Sequence, residues 1–293
     1  MQKLRQGCFR RRCASEQRRT AATLARVVSP ERLGQHFLAD AGWRERIAGS
    51  LRAAADDVWL EIGAGHGEMT ALLARCAARV IAVEVDPRLA ERLRALAAQL
   101  GNVEVIASDI LQLDLEPTIA TALGQGSRCK VYGNLPYYIT SPILHRLFEH
   151  AERIESIDAV VQLEVAARMA AQPGSRQYGY LSVATQFYTR AEIILRIPPG
   201  AFRPRPKVTS ALVHMRLPGE RSRLGLSDEN GFLAFVKTCF AQKRKTLVNN
   251  LSPGFGRSKS EEALRNEGLR PDARAEQLSI AQLAAVFHLL GKG

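Results

Sequence analysis

"VWLEIGAGHGEMT", residues 58–70, is the segment that betrays the architecture. A short apolar run, "VWLEIG" (58–63), stops at a cluster of glycines, Gly63, Gly65 and Gly67, and passes into a helical pattern. Glycines at a strand end let the backbone turn with positive φ and approach a ligand closely. In open α/β sheets the crevice outside the strand carboxyl ends is where ligands bind. The segment therefore predicts a βα unit with a binding turn at its centre.

The pattern repeats on both sides of this unit. "RVIAVEV" (79–85), "VEVIAS" (103–108), "CKVYGN" (129–134) and "IDAVVQLE" (157–164) are short and rich in Val and Ile. Helical segments such as "ALLARCAA" (71–78) and "LAERLRALAAQL" (89–100) separate them. Near-continuous apolar strands alternating with helices imply a mostly parallel sheet covered on both faces. Two later runs, "YLSVATQFYT" (180–189) and "VTSALVHMRL" (208–217), predict further strands. Beyond Pro218 the character turns helical. Ser227 is the expected cap of "DENGFLAFVKTCFAQK", and Ser279 with Gln282 forms a capping box before "IAQLAAVFHLL". The expected organisation is a basic arm over 1–29, an α/β domain over 30–218 and a small helical domain over 219–293.

Composition narrows the function classes. Among the 293 residues, hydrophobic content is 46% and charged content 24%, and no apolar run approaches the ~20 residues that span a bilayer. No membrane partner is expected. Five scattered cysteines, with Cys8 and Cys13 an unmatched pair, support neither a disulfide framework nor a zinc site. A reducing cytoplasm fits. The net charge of +12 is uneven: residues 1–28 carry eight Lys/Arg against one acid, and 196–257 carry twelve against three. An acidic body between two basic segments points to a polyanion held by particular surfaces. His66, His145, His150, His214 and His288 show no ligand spacing, so structural or surface roles are expected for them and no metal is implied.

The acids at successive strand ends carry the cofactor reading. The spacing 63–67 is G-x-G-x-G, and Glu84 ends the second strand about twenty residues on, placed to take both hydroxyls of a ribose. Asp109 closes the third strand, where it can accept from an adenine amino group. Gly63, Gly65, Glu84 and Asp109 suit either NAD or S-adenosylmethionine, since both contain adenosine. The fourth strand end separates them. Asn134-Leu135-Pro136-Tyr137 has no evident use in hydride transfer, but it suits methylation of an adenine amino group. The N6 lone pair is delocalised into the ring. Two acceptors aimed at its N–H groups, the Asn134 side-chain oxygen and the Leu135 carbonyl, would draw the nitrogen towards tetrahedral geometry. Pro136 stiffens the loop and Tyr137 can stack on an extruded base.

At this point the chain closely resembles the KsgA-type rRNA adenine dimethyltransferases of the small ribosomal subunit. The similarity runs through "GQHFL" (34–38), "EIGAGHGEMT" (61–70), "VEVD" (83–86), Asp109, "GNLPYYITSPIL" (133–144), "FRPRPKVTSALV" (202–213) and "FAQKRKTLVNNL" (240–251). The resemblance implies a class I methyltransferase fold, Rossmann-like with a seven-stranded sheet, and a helical C-terminal domain. It implies transfer of two methyl groups to each of two adjacent adenines near the 3′ end of small-subunit rRNA, late in subunit assembly. The implied partner is immature 30S subunit rRNA, met by a monomer. Carried over, His36, Leu38, Gly63, Glu84, Asp109 and Asn134 approach the cofactor. His36 stands where Asn is common, and Tyr138 where Asn is frequent, which leaves the stacking aromatic open between Tyr137 and Tyr138. Arg203, Arg205 and Lys207 in "FRPRPK", with Lys243, Arg244 and Lys245 in "QKRKT", are the expected phosphate contacts. The competing readings are a large-subunit adenine methylase of the antibiotic-resistance type, a mainly non-catalytic assembly factor and, more distantly, an NAD dehydrogenase.

Overall fold

The structure, a computed structural model, describes residues 36–123 and 128–291. The basic arm, Cys8, Cys13 and the start of "GQHFL" lie outside the described residues.

The glycine-ended strand, β2 (Val58–Ile62), is central to a seven-stranded sheet. A two-residue strand, β1 (Phe37–Leu38), and helix α1 (Ala41–Leu51) precede it. Helix α2 (Glu68–Ala74), strand β3 (Arg79–Glu84), helix α3 (Pro87–Leu100) and strand β4 (Val103–Ala107) then build outward on one side. Helix α4 (Leu115–Ala122) carries the chain back, and β5 (Cys129–Asn134) pairs in parallel with the other edge of β2. The gap between β2 and β5 is thus a topological switch point, where the flanking loops diverge and leave a crevice. Ile62 is in register with Gly133, which sets the glycine turn beside the Asn-Leu-Pro-Tyr loop.

The chain continues through helix α5 (Thr140–Phe148), β6 (Ile154–Gln162), helix α6 (Leu163–Met169), helix α7 (Tyr180–Tyr188), β7 (Arg190–Ile197), β8 (Phe202–Arg203), which pairs with β1 outside the main sheet, and β9 (Ser210–Arg216). Strand order is β4-β3-β2-β5-β6-β9-β7, with β9 antiparallel to both of its neighbours. Helices α1 and α2 cover one face through Ile47, Leu51, Met69 and Leu73 on Trp59, Val80 and Leu212. Helices α4 and α5 cover the other through Ile119, Ile143 and Leu147 on Leu60, Ile81 and Val131. The class I methyltransferase architecture read from the sequence is the one observed.

Two local expectations are corrected. The run 180–189 is not a strand but helix α7. Its Leu181, Val183, Ala184, Phe187 and Tyr188 are all buried, and burial around most of a helix erases both the amphipathic period and the force of β-propensity. The strand at the sheet edge is instead β7, which follows it. Nor does Ser227 cap the helix after it. Asp228 caps α9 (Glu229–Cys239), its Oδ1 accepting from Gly231 N at 2.8 Å.

The chain ends in helices. A short turn, α8 (Arg221–Leu224), precedes α9, and α10 (Leu247–Phe255), α11 (Arg257–Asn266) and α12 (Ile280–Gly291) follow. Ser279 and Gln282 make the expected capping box, with Ser279 N donating to Gln282 Oε1 at 3.0 Å and Gln282 N to Ser279 Oγ at 3.2 Å. The core is continuous from sheet to helices: Phe187 of α7 meets Phe232 of α9 with ring centroids 5.3 Å apart. Among the described residues no helix is long and apolar enough to cross a membrane.

Candidate functional site

The site is built where β2, β3 and β5 end. Gly63, Gly65 and Gly67 have φ of 71°, 59° and 87°, so each needs the left-handed backbone that glycine adopts without strain. Space is also restricted. A Cβ on Gly65 would stand 3.1 Å from the Phe37 ring, and one on Gly67 would meet Leu93 and Leu96 methyls at 2.7 Å.

Glu84 lies beneath this turn, 1% exposed. Its Oε2 accepts from Gly65 N at 2.8 Å and its Oε1 from Asp86 N at 2.9 Å. Burial pushes its carboxyl above the ordinary value, and the two backbone N–H donors act against that. Asp109 follows β4, and its Oδ1 accepts from Leu111 N at 3.0 Å, which fixes the strand exit.

At the end of β5, Gly133 admits no side chain: a Cβ would sit 2.6 Å from Leu135 Cδ2 and 3.2 Å from the Ile62 carbonyl. Leu135 N donates to Val160 O at 3.1 Å, and the Leu135 side chain is buried. The Pro136 carbonyl is occupied by Ile139 N at 3.2 Å and Thr140 Oγ1 at 3.0 Å, which closes the turn into α5. Asn134 Nδ2 donates to the His36 carbonyl at 2.7 Å. With the amide nitrogen so engaged, Oδ1 is the end left to accept from a ligand.

Two aromatic residues follow, with different settings. Tyr137 shares a hydrogen bond with Ser210 Oγ at 3.0 Å, and its ring lies 5.5 Å from the His36 ring. Tyr138 is 59% exposed. The segment carrying His36 is itself held by β1 pairing antiparallel with β8, so "HFL" and "FRPRP" form one small ribbon beside the turn. Leu38 is buried there.

The cleft between these loops is lined by Phe37, Leu38, Gly63, Gly65, His66 and Asn134, together with Arg44, Glu61 and Tyr132. Sequence reading missed the last three. Glu61 is 2% exposed inside β2, with Oε2 unpartnered, and burial pushes its carboxyl up to about 8. Its register neighbour is Tyr132, whose own neighbour is Asp158, whose neighbour is His214. A polar row therefore crosses the sheet. The Tyr132 hydroxyl and Asp158 Oδ2 are also buried without partners, while Asp158 Oδ1 meets His214 Nδ1 at 2.8 Å. The available signal was a carboxylate in the middle of a run otherwise read as apolar. His66, expected to be structural or surface, is exposed at the cleft with its ring 4.9 Å from Phe37.

The basic residues fall in two places. Arg203, Arg205 and Lys207 are exposed on and after β8, next to the small ribbon. Lys243, Arg244 and Lys245 are exposed in the α9–α10 loop, which Asn250 pins by donating to Cys239 O at 2.8 Å and Gln242 O at 3.2 Å. Lys243 Nζ reaches Arg176 O at 3.1 Å. No hydrogen bond among the described residues joins the two basic groups. Nor do the described residues contain a cluster of potential metal ligands.

The cleft suits an adenosyl cofactor bearing positive charge. It offers the bare backbone of Gly63 and Gly65 and the exposed carboxylate of Glu68, and its cation, Arg44, is engaged with the Leu38 and Ala39 carbonyls at 2.9 and 2.8 Å; Glu84 and Asp109 fix the neighbouring backbone and are not among its lining residues.

Comparison with known proteins bears on the fold and the family. The chain is 42% identical to the ribosomal RNA small subunit methyltransferase A of Koribacter versatilis over 270 residues, 89% of this chain and 94% of that one. It is 38% identical to the protein of the same name from Bacillus cereus, over 88% of this chain and 90% of that one. Among solved structures, the 23S rRNA methyltransferase ErmE superposes with a TM-score of 0.66 at 28% identity, covering 87% of this chain and all of that one. A dimethyladenosine transferase from Plasmodium falciparum superposes with a TM-score of 0.70 at 22% identity, over 87% of this chain and 98% of that one, a likeness of fold. The model of the ribosomal RNA adenine dimethylase family matches residues 29–292, and the chain belongs to that family.

Proposed function

We propose that this protein transfers methyl groups from S-adenosylmethionine to N6 of two adjacent adenines near the 3′ end of small-subunit (16S) rRNA, during late 30S subunit biogenesis. The observation that carries the reading is the Asn134 carboxamide, whose Nδ2 donates to the His36 carbonyl at 2.7 Å and leaves Oδ1 as the end that can accept. The family supports adenine dimethylation, and the relatives at 38–42% identity bear small-subunit names. The large-subunit alternative has the weaker support of a 28% likeness. A purely non-catalytic role leaves the Glu84, Asp109 and Asn134 set without a use.

When bound, S-adenosylmethionine supplies an electrophilic methyl group. Gly63, Gly65, Glu84 and Asp109 are the residues that would hold it, with the Leu38 backbone. Asn134 Oδ1 and the Leu135 carbonyl accept from the two N6 hydrogens of adenine and align the nitrogen lone pair. Tyr137, held by Ser210, supplies the stacking face. Because Tyr137 is anchored and Tyr138 is not, we assign the target base to Tyr137. Arg203, Arg205, Lys207, Lys243, Arg244 and Lys245 neutralise rRNA phosphates, and the helices beyond residue 219 form the rRNA-binding domain. The enzyme acts as a monomer in the cytoplasm.

The test is methylation of small subunits that lack the modification, using labelled cofactor and mapping by mass spectrometry. Two adjacent dimethyladenosines in small-subunit rRNA are expected. Label confined to large-subunit rRNA would transfer the protein to the other class.

A further inference from the structure

We infer that Tyr138 holds the nucleobase next to the target adenine, as a second stacking platform outside the one that Tyr137 provides. The inference deepens the methyl-transfer reading above and rests on it.

Among the described residues four large apolar side chains are exposed, Val85, Tyr138, Ile194 and Val208, and Tyr138 is the most open of them at 59%. One exposed apolar side chain is ordinary on a protein surface. Here the placing is informative. Tyr138 directly follows Tyr137, whose hydroxyl shares a hydrogen bond with Ser210 Oγ at 3.0 Å. Val208, 43% exposed, stands two residues before that serine. Two of the four exposed side chains thus border the same anchored aromatic. Val85 instead follows Glu84, and Ile194 lies on β7 at the sheet edge.

The surroundings suit nucleic acid. Residues 134–146 and 202–212 contain no Asp or Glu, and exposed Arg203, Arg205 and Lys207 lead into Val208. Single strands are held in this way, with phosphates on cations and bases on aromatic rings. The backbone that carries the ring is fixed. Ile139 N donates to Pro136 O at 3.2 Å and Thr140 Oγ1 to the same carbonyl at 3.0 Å, which closes the turn around Tyr138. A tyrosine has only two side-chain torsions to order, so laying it against a base costs little entropy.

Extrusion of the target gives the second platform its use. A base turned out of its stack leaves its neighbour without a partner on that side, and this unstacking is part of the cost of extrusion. Tyr137, held by Ser210, receives the target. A ring one residue further along covers the face that the neighbour has lost, and so favours the extruded state. Tyr138 is in these terms a substrate-positioning residue, and it makes the site sensitive to what stands beside the adenine.

The experiment uses small subunits that lack the modification, rebuilt with a synthetic 3′ rRNA segment. The segment is intact or carries one abasic nucleotide, placed in turn at either adenine or on either side of the pair. Wild type, Tyr138→Ala and Tyr138→Phe are compared by kcat/KM, with transfer to each adenine read separately by mass spectrometry. On intact subunits Tyr138→Ala is expected to lose ~5–100-fold, the worth of one base on an aromatic ring, and Tyr138→Phe to stay within about twofold of wild type. For each adenine the loss should vanish when one of its two flanking positions is abasic, because the ring then has no base to hold. A second readout needs no turnover. Subunits with 2-aminopurine at each flanking position in turn should, at one of them, emit less when bound to wild type or Tyr138→Phe than to Tyr138→Ala, since stacking quenches this base. An unchanged rate for Tyr138→Ala on intact subunits would overturn the inference, as would equal emission with all three proteins. So would a loss that persists at every abasic position, which would put Tyr138 on the target base itself or reduce it to shaping the loop. A wild-type chain that methylates no small subunits would overturn the functional reading instead, and the fluorescence would still decide this one.

Discussion

The carboxylate of Glu84 holds the glycine turn from below, accepting from Gly65 N at 2.8 Å while its second oxygen takes Asp86 N at 2.9 Å. The end of β3 and the turn after β2 are thereby fixed as one unit. A carboxylate has about four lone-pair sites, so two bonds to backbone leave acceptor capacity for ribose hydroxyls.

Glu84→Ala should therefore weaken S-adenosylmethionine binding by ~1.5–3 kcal/mol, the range for hydrogen bonds to a charged group. It should also loosen the turn. Glu84→Gln, with one acceptor replaced by a donor, should retain shape and still lose cofactor affinity. Calorimetry on the folded variants checks this, and unchanged affinity in both would remove Glu84 from the cofactor contacts.

Asn134 is expected to act in both methyl transfers. Unmodified adenine has two N6 hydrogens for Asn134 Oδ1 and the Leu135 carbonyl, and the singly methylated base has one. Asn134→Ala should slow single-turnover transfer by ~10²–10³ on either substrate at saturating cofactor, the usual effect of losing a transition-state hydrogen bond. Asn134→Asp should do no better, since a carboxylate oxygen would then face the His36 carbonyl in place of the present donor. Near wild-type rates on either substrate would reduce Asn134 to a turn former.

Glu61 predicts a pH dependence of stability. Burial raises its carboxyl from an ordinary 4.5 to about 8 in the folded protein. Between those values the native state holds a proton that the unfolded chain releases, so stability falls as pH rises through this window. One proton contributes at most ~1.4 kcal/mol per pH unit. Glu61→Gln keeps the neutral shape and should flatten the slope between about pH 6 and 8 in denaturant titrations. His214, whose bond to Asp158 raises it, slopes in the same direction and is common to both proteins, so the difference isolates Glu61. Parallel curves for the two proteins would mean that Glu61 is already ionised.

The α9–α10 loop should read phosphate charge. Replacing Lys243, Arg244 and Lys245 with Ala should reduce the steepness of log affinity for rRNA against log salt, by up to ~0.9 for each phosphate no longer neutralised. Cofactor affinity should not change. An unaltered slope, measured by filter binding or fluorescence anisotropy, would return these residues to a solvated surface.

Much of the site could be read locally because its chemistry lies in contiguous residues. Three glycines within five positions can only be a turn of unusual backbone, and Gly63, Gly65 and Gly67 are all at positive φ. The capping box of Ser279 and Gln282 needs four residues and no context. Even there, local reading failed where neighbours compete: Asp228 took the cap expected of Ser227, and Glu61 was absorbed into an apolar run.

Residue order alone is enough for the alternation of strand and helix, for the strand ends bearing Glu84, Asp109 and Asn134, and for the family to which those motifs point. That 180–188 is a helix emerges only in the packed molecule, because a segment buried on most sides has no period to read. The row of Glu61, Tyr132, Asp158 and His214 likewise needs the assembled sheet, since side chains share a face only once strand order and register are set. Folding also brings His36 to Asn134 and Pro204, 98 and 168 residues away in the chain. Such approaches depend on which distant backbones pack together, and that choice is made by the whole core, not by any stretch of residues within it.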